Sequence, residues 1–122
     1  MKRLSVLVAD DNGDAADTLA LLIELAGHDV TVKYDGSAAL AAAESKHFDA
    51  AILDLAMPLL DGYECGRQMK LKSPQTTLIA LSGHAALAHR YLTRDAGFEF
   101  HYAKPLDGGD LEELLSRLES GA

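Results

Sequence analysis

The polar residues of this sequence best suited to handling phosphate and metal ions each follow a short strand-like run. Asp10 and Asp11 follow Leu4 to Ala9, Asp54 ends the run from Ala50 to Leu53, Ser82 follows Thr77 to Leu81, and Lys104 follows Glu99 to Ala103. Three carboxylates brought into one crevice repel each other and raise one another's proton affinity unless a cation neutralises them. A hard divalent ion answers that need. Mg2+, with Mn2+ as an alternative, is usually held by one or two carboxylates plus a carbonyl and waters, which leaves positions open for phosphate oxygens. Lys104 then supplies a point charge for an equatorial phosphate oxygen, Ser82 a hydroxyl donor for another, and the metal bridges a third. Asp54 is the natural nucleophile, because an aspartate forms an acyl phosphate once metal and lysine offset the charge of the donor. Each residue alone has an ordinary reading: paired aspartates or a strand-end Asp54 cap a turn, Ser82 before Gly83 is turn chemistry, and a single lysine is solvated. Their common position after successive runs is what makes them a candidate site.

Only elements that alternate between strand and helix bring those run ends to one edge. The strands are expected at Leu4 to Ala9, Val30 to Val32, Ala50 to Leu53, Thr77 to Leu81 and Glu99 to Ala103, each short, apolar or β-branched, and bounded by polar or glycine residues. Several are continuously apolar, as strands buried on both faces of a parallel sheet are. Between them, Leu19, Leu22, Ile23 and Ala26 form one apolar helical stripe that Gly27 can end in a left-handed conformation. Leu111, Leu114, Leu115 and Leu118 repeat the spacing, with Asp107 placed as the cap. Further helices are expected at Gly36 to Ser45, Asp61 to Leu71 and Ala85 to Ala96, the last ended by Gly97. Five such units suit a doubly wound α/β fold, (βα)5 and flavodoxin-like, with a parallel five-stranded sheet in the order 2-1-3-4-5. In that order the second strand lies outside, so its Lys33 to Asp35 end is expected away from the crevice.

Composition narrows the function classes. The 122 residues suit one domain, and 48% hydrophobic with 25% charged residues suits a packed core. A net charge of -8 argues against direct nucleic-acid binding, which needs clustered Lys and Arg. The apolar opening run stops after six residues, too short for a signal-peptide core or a membrane span, so a cytoplasmic location is expected. Cys65, the single cysteine, rules out an internal disulfide and reads as a small packed side chain. His28, His47 and His89 lack metal-site spacing and are expected at the surface.

With these pieces in order, the chain resembles the response-regulator receiver family essentially end to end. The matching segments are Val6-Leu7-Val8-Ala9-Asp10-Asp11-Asn12, Asp54-Leu55-Ala56-Met57-Pro58 with Asp61-Gly62-Tyr63-Glu64, Ala80-Leu81-Ser82-Gly83, Ala96-Gly97-Phe98, and Lys104-Pro105-Leu106. The set in this order is specific, whereas any one piece would not be. The resemblance, which includes similarity to receivers of hybrid histidine kinases or single-domain regulators, implies one receiver domain over residues 1–122. It implies Asp54 as phosphoacceptor, Asp11 and Asp54 as direct Mg2+ ligands, Asp10 acting mainly through metal-bound water, and the Ala56 carbonyl as a further ligand. Ser82 and Lys104 would contact the phosphoryl group, and Lys104-Pro105 would be a cis peptide. The implied partners are a histidine kinase or histidine phosphotransfer protein as donor and a downstream protein as target. The domain would catalyse only its own phosphorylation and slow hydrolysis.

The family's switch pairs the Ser82 position with an aromatic side chain on the fifth strand. Here that place holds His101, while Tyr102 should face the other side of the sheet. Side chains at Ala56 and His84 would flank the path of attacking water and so set the lifetime of the phosphoryl group. The rival in another class is a receiver-like docking module that is never phosphorylated, against which the full carboxylate, Ser82 and Lys104 set argues. An aspartate-nucleophile phosphatase would want a second Asp where Ala56 stands, and a flavodoxin would want a Ser/Thr-rich loop where Asp10-Asp11-Asn12 stands.

Overall fold

Continuous apolar runs become the inner strands, and the flanking periodic segments become the helices that cover them. The computed structural model describes residues 3–57, 60–83 and 94–121. In chain order these form β1 (Ser5–Ala9), α1 (Gly13–Leu25), β2 (Asp29–Lys33), α2 (Gly36–Ser45), β3 (Ala50–Asp54), α3 (Gly62–Lys72), β4 (Thr77–Ser82), β5 (Phe98–Ala103) and α4 (Gly108–Glu119). All but the end of the helix expected over Ala85 to Ala96 lies outside the described residues, as do His84 and His89. The strands pair in parallel in the order β2-β1-β3-β4-β5, as expected for a flavodoxin-like doubly wound sheet. Among the described residues no helix is long and apolar enough to cross a membrane.

Strand alternation divides the core between the two faces of the sheet. Val6, Val8, Ile52, Ile79 and Leu81 pack with Leu19 and Ile23 of α1 and with the leucines of α4. Leu7, Leu53, Leu78 and Ala80 pack on the other face with Ala39 of α2 and with Cys65 and Met69 of α3. Every residue of β3 is buried, which is why its sequence shows no polar alternation before Asp54.

Helix starts are set by side-chain caps. Asn12, Asp35, Asp61 and Asp107 each accept from the N-H three residues on, at 3.1, 2.7, 2.9 and 2.7 Å. Such a cap contributes about 1 kcal/mol. At the end of α1 the chain turns through Gly27, whose φ of 100° is the left-handed conformation expected there.

A bulge in the β4–β5 pairing decides which way the β5 side chains point. Leu78 pairs with Phe98 but Ile79 pairs with Phe100, so Glu99 is the extra residue. Its carboxylate accepts from the Leu78 N-H at 2.6 Å and from Lys70 Nζ at 2.6 Å. Beyond the bulge, Phe100 and Tyr102 pack on the α1/α4 face. His101 is left on the opposite face, beside Ala80 and Ser82.

His28 corrects an expectation. Rather than lying at the surface it is 3% exposed, its Nδ1 accepting the Leu4 N-H at 3.0 Å and its Nε2 lying 3.0 Å from Glu119 Oε2. Accepting at Nδ1 leaves the proton on Nε2, which donates to the carboxylate. The partners lie 24 and 91 residues away, so no local pattern marks the position as interior. His47 is exposed, as expected.

Candidate functional site

The parallel arrangement delivers the C-terminal ends of β1, β3, β4 and β5 to one edge of the sheet, where open α/β sheets bind their ligands. Asp10 and Asp54 sit there almost fully buried, at 3% and 2% exposure, while Asp11 is exposed. Carboxylate oxygens of Asp10, Asp11 and Asp54 all lie within 4.8 Å of one another.

The two buried aspartates are held in the same way. Oδ1 of Asp10 accepts from the Asn12 N-H at 2.9 Å, and Oδ1 of Asp54 accepts from the Ala56 N-H at 3.1 Å. Each is a side chain closing a turn onto the backbone two residues ahead. Oδ2 of each then faces Lys104, whose Nζ lies 3.1 Å from Asp10 and 3.0 Å from Asp54. Lys104 arrives from the end of β5, its own N-H donating to the Ser82 carbonyl at 2.8 Å, and its peptide bond to Pro105 is cis.

These contacts set the titration behaviour. Burial pushes Asp10 up, and the Asn12 N-H and Lys104 only partly oppose it, so its affinity for a proton is raised. Burial pushes Asp54 up as well, but the Ala56 N-H, then Lys104 and Asp10, outweigh it and hold it below the ordinary carboxylate range. Lys104 is disfavoured as a cation by burial, yet its two carboxylate partners raise its affinity for a proton. One nearly buried aspartate is therefore kept ionised beside a cation, the state a nucleophile requires.

Ser82 is buried at the end of β4, and its Oγ lies 2.6 Å from His101 Nε2. Sequence reasoning paired these two positions only through a family switch; the close hydrogen bond between them is a tertiary fact. Ala56 is exposed, two residues past Asp54, and its N-H is engaged with that carboxylate. His84 lies outside the described residues. A groove of about 580 Å³, lined by Asp10, Asn12, Leu22, Lys104, Pro105 and Leu106 among others, opens beside the site. The positioning roles of the Asn12 and Ala56 N-H groups were not foreseen, although an Asp followed two residues later by a free N-H at a turn is their signal.

The carboxylate cluster fits a hard divalent cation. Its three side chains offer only oxygen, with no His or Cys among them to select a softer metal. A carboxylate oxygen has two lone pairs, so those facing the Asn12 N-H, the Ala56 N-H and Lys104 can still meet a cation.

Comparison with known proteins agrees with this arrangement. The family model for the response regulator receiver domain matches residues 6–116. Response regulator MprA of Mycobacterium avium is 32% identical over 117 residues, covering 96% of this chain and 50% of its own length. A Bacillus subtilis protein described as uncharacterized transcriptional regulatory protein YkoG is 29% identical over 120 residues, 98% of this chain and 51% of its own. The chain thus spans about half the length of the curated relatives it matches. Among solved structures, the receiver domain of sensor histidine kinase PA1611 from Pseudomonas aeruginosa PAO1 superposes with a TM-score of 0.86 at 27% identity, covering 98% of this chain and 99% of that one. That structure has a magnesium ion coordinated in its active-site cleft.

Proposed function

Because this chain belongs to the response regulator receiver domain family, we propose that residues 1–122 act as one phosphoacceptor domain in a two-component phosphorelay. A carboxylate oxygen of Asp54 attacks the phosphorus of a phosphohistidine on a histidine kinase or phosphotransfer protein. The P-N bond breaks, the imidazole leaves with a proton taken up on its nitrogen, and Asp54 carries the phosphoryl group until water hydrolyses it. The single observation that supports this most strongly is Lys104 reaching both buried carboxylates from the far side of the sheet edge.

Asp10, Asp11, Asp54 and the Ala56 carbonyl would hold Mg2+, with Mn2+ as a substitute, and that ion supplies charge neutralisation for the phosphoryl oxygens. Lys104 binds one phosphoryl oxygen, exchanging a carboxylate partner for it, and Ser82 donates its hydroxyl to another. Donating there fixes the direction of the Ser82 hydroxyl that lies 2.6 Å from His101 Nε2, so phosphorylation is transmitted to β5 through the His101 ring. The output is a changed protein-protein contact rather than direct contact with nucleic acid, and the site of action is the cytoplasm. By the family resemblance, Ala56 and His84 would be the positions that modulate the lifetime of the phosphoryl group.

Intact-mass spectrometry after incubation with acetyl phosphate tests this reading. A Mg2+-dependent phosphoryl adduct that Asp54→Asn loses is expected, and with beryllofluoride the His101 ring signals should shift in NMR spectra. A folded protein that gains no adduct from acetyl phosphate or from a phosphohistidine donor would instead be a docking module.

A further inference from the structure

An aromatic side chain just past β2 braces the segment that carries two of the candidate metal ligands. We infer that this residue, Tyr34, is a positioning residue for Asp11. The inference rests on the metal site proposed above.

Asp11 is exposed, yet its carboxylate lies within 4.8 Å of those of the buried Asp10 and Asp54. Like charges that close repel each other. The bonds that keep Asp11 there are made by the chain on either side of it. Before it, the Asp10 N-H donates to the carbonyl of Lys33, the last residue of β2, at 3.2 Å. After it, the Asn12 N-H, which belongs to the peptide joining Asp11 to Asn12, donates to Asp10 Oδ1 at 2.9 Å. Asn12 is in turn bound to the first turn of α1, its Oδ1 accepting from the Ala15 N-H at 3.1 Å and its carbonyl from the Ala16 N-H at 3.0 Å. The backbone at Asp11 is therefore supported by the end of β2 on one side and by the start of α1 on the other.

Tyr34 ties those two supports together. It follows Lys33 in the chain and reaches across to α1, where its hydroxyl donates to Asp17 Oδ1 at 2.7 Å. Its ring lies alongside Gly13, so that a Cβ there would stand 3.8 and 3.9 Å from ring atoms Cε1 and Cδ1, ordinary contact distances. Gly13 and Asp17 are four residues apart and share one face of the helix. The Tyr34 side chain thus spans the turn of α1 to which the Asn12 cap is bonded. Without it that turn loses its tie to β2, and carboxylate repulsion pushes the peptide between Asp11 and Asn12 outward. Asp10 and Asp54 are buried and faced by Lys104, so the exposed carboxylate is the one that moves. Core contacts of Ala16, Leu19 and Ile23 keep the shift small, so metal affinity falls while the fold stays intact.

NMR titration of backbone amides with Mg2+ tests this without any phosphoryl donor. Tyr34 is 48% exposed, so its variants should fold. Tyr34→Phe, which loses only the bond to Asp17, should bind Mg2+ about threefold more weakly and Tyr34→Ala about tenfold, the lower end of the range for an outer positioning group. The acetyl-phosphate reaction of Tyr34→Ala should need correspondingly more Mg2+, while its rate at saturating Mg2+ stays close to wild type. Asp17→Asn removes a charge but keeps an acceptor for the hydroxyl, so it should bind Mg2+ as the wild type does. Gly13→Ala sets a methyl group against the ring, so it should recover part of the affinity lost in Tyr34→Phe and none of that lost in Tyr34→Ala. His28→Ala, which strands the Leu4 N-H at the opposite end of β1, should lower stability without changing Mg2+ affinity. Wild-type affinity in Tyr34→Ala overturns the inference. A loss in His28→Ala equal to that in Tyr34→Ala overturns it too, by showing general destabilisation, and so does an equal loss in Asp17→Asn, by showing that charge alone acts. A wild-type protein that binds no Mg2+ would instead refute the metal site on which the inference rests.

Discussion

Replacing Lys104 with methionine keeps most of the side-chain stem and removes the charge that Asp10 and Asp54 share. At 3.1 and 3.0 Å the two contacts are each worth about 5 kcal/mol of gross attraction at an effective dielectric of about 20. Desolvation of three charged groups cancels most of that, and losing one partner of a buried pair typically costs ~3–5 kcal/mol. Lys104 is 31% exposed, and the stranded carboxylates can share a proton, so the lower end applies, about 3 kcal/mol. For a domain of this size that corresponds to a Tm lowered by roughly 12 °C. Urea unfolding of Lys104→Met without Mg2+ should show this loss near neutral pH. The loss should shrink as pH falls toward the ordinary aspartate value of 3.8, because protonation removes the uncompensated charge. In the wild type the Asp54 contribution runs the other way: its lowered folded value gives stability that is present above 3.8 and lost as pH falls further. Millimolar Mg2+ should recover part of the loss by supplying the missing cation. A Lys104→Met loss below about 1 kcal/mol, or one indifferent to both pH and Mg2+, would show that the lysine is not the counter-ion of the pair.

Two further measurements probe parts of the fold that the chemistry does not use. His28→Ala should cost about 2–4 kcal/mol in urea unfolding, since it strands the Leu4 N-H and opens a cavity. Glu119→Gln, which can still accept from Nε2, should cost under about 1 kcal/mol, and equal losses would contradict the assigned bonding. Cys65 should resist thiol reagents in the native protein at pH 8 and react promptly in denaturant, because it is fully buried with its thiol pushed up to about 12; rapid native labelling would refute that burial.

Local sequence carried the alternation of elements because two physical signals needed no tertiary information. The run from Ala50 to Leu53 is apolar at every position because both faces of β3 are covered, and the stripe from Leu111 to Leu118 repeats at helical spacing because only one face is. From that alternation the shared edge follows, since parallel strands joined by helices put all their C-terminal ends on one side. The candidate residues Asp10, Asp11, Asp54, Ser82 and Lys104 were legible for that reason: their chemistry is written in their types and their convergence in the topology. What the sequence could not express were contacts set by packing between segments far apart in the chain. The burial of His28 depends on Glu119, the orientation of His101 depends on a bulge at Glu99, and Gly36 has no room for a side chain because the Leu60 backbone lies against it. Short-range patterns record which face a residue presents, whereas which atoms come to rest against that face is decided only when the whole chain has closed over it.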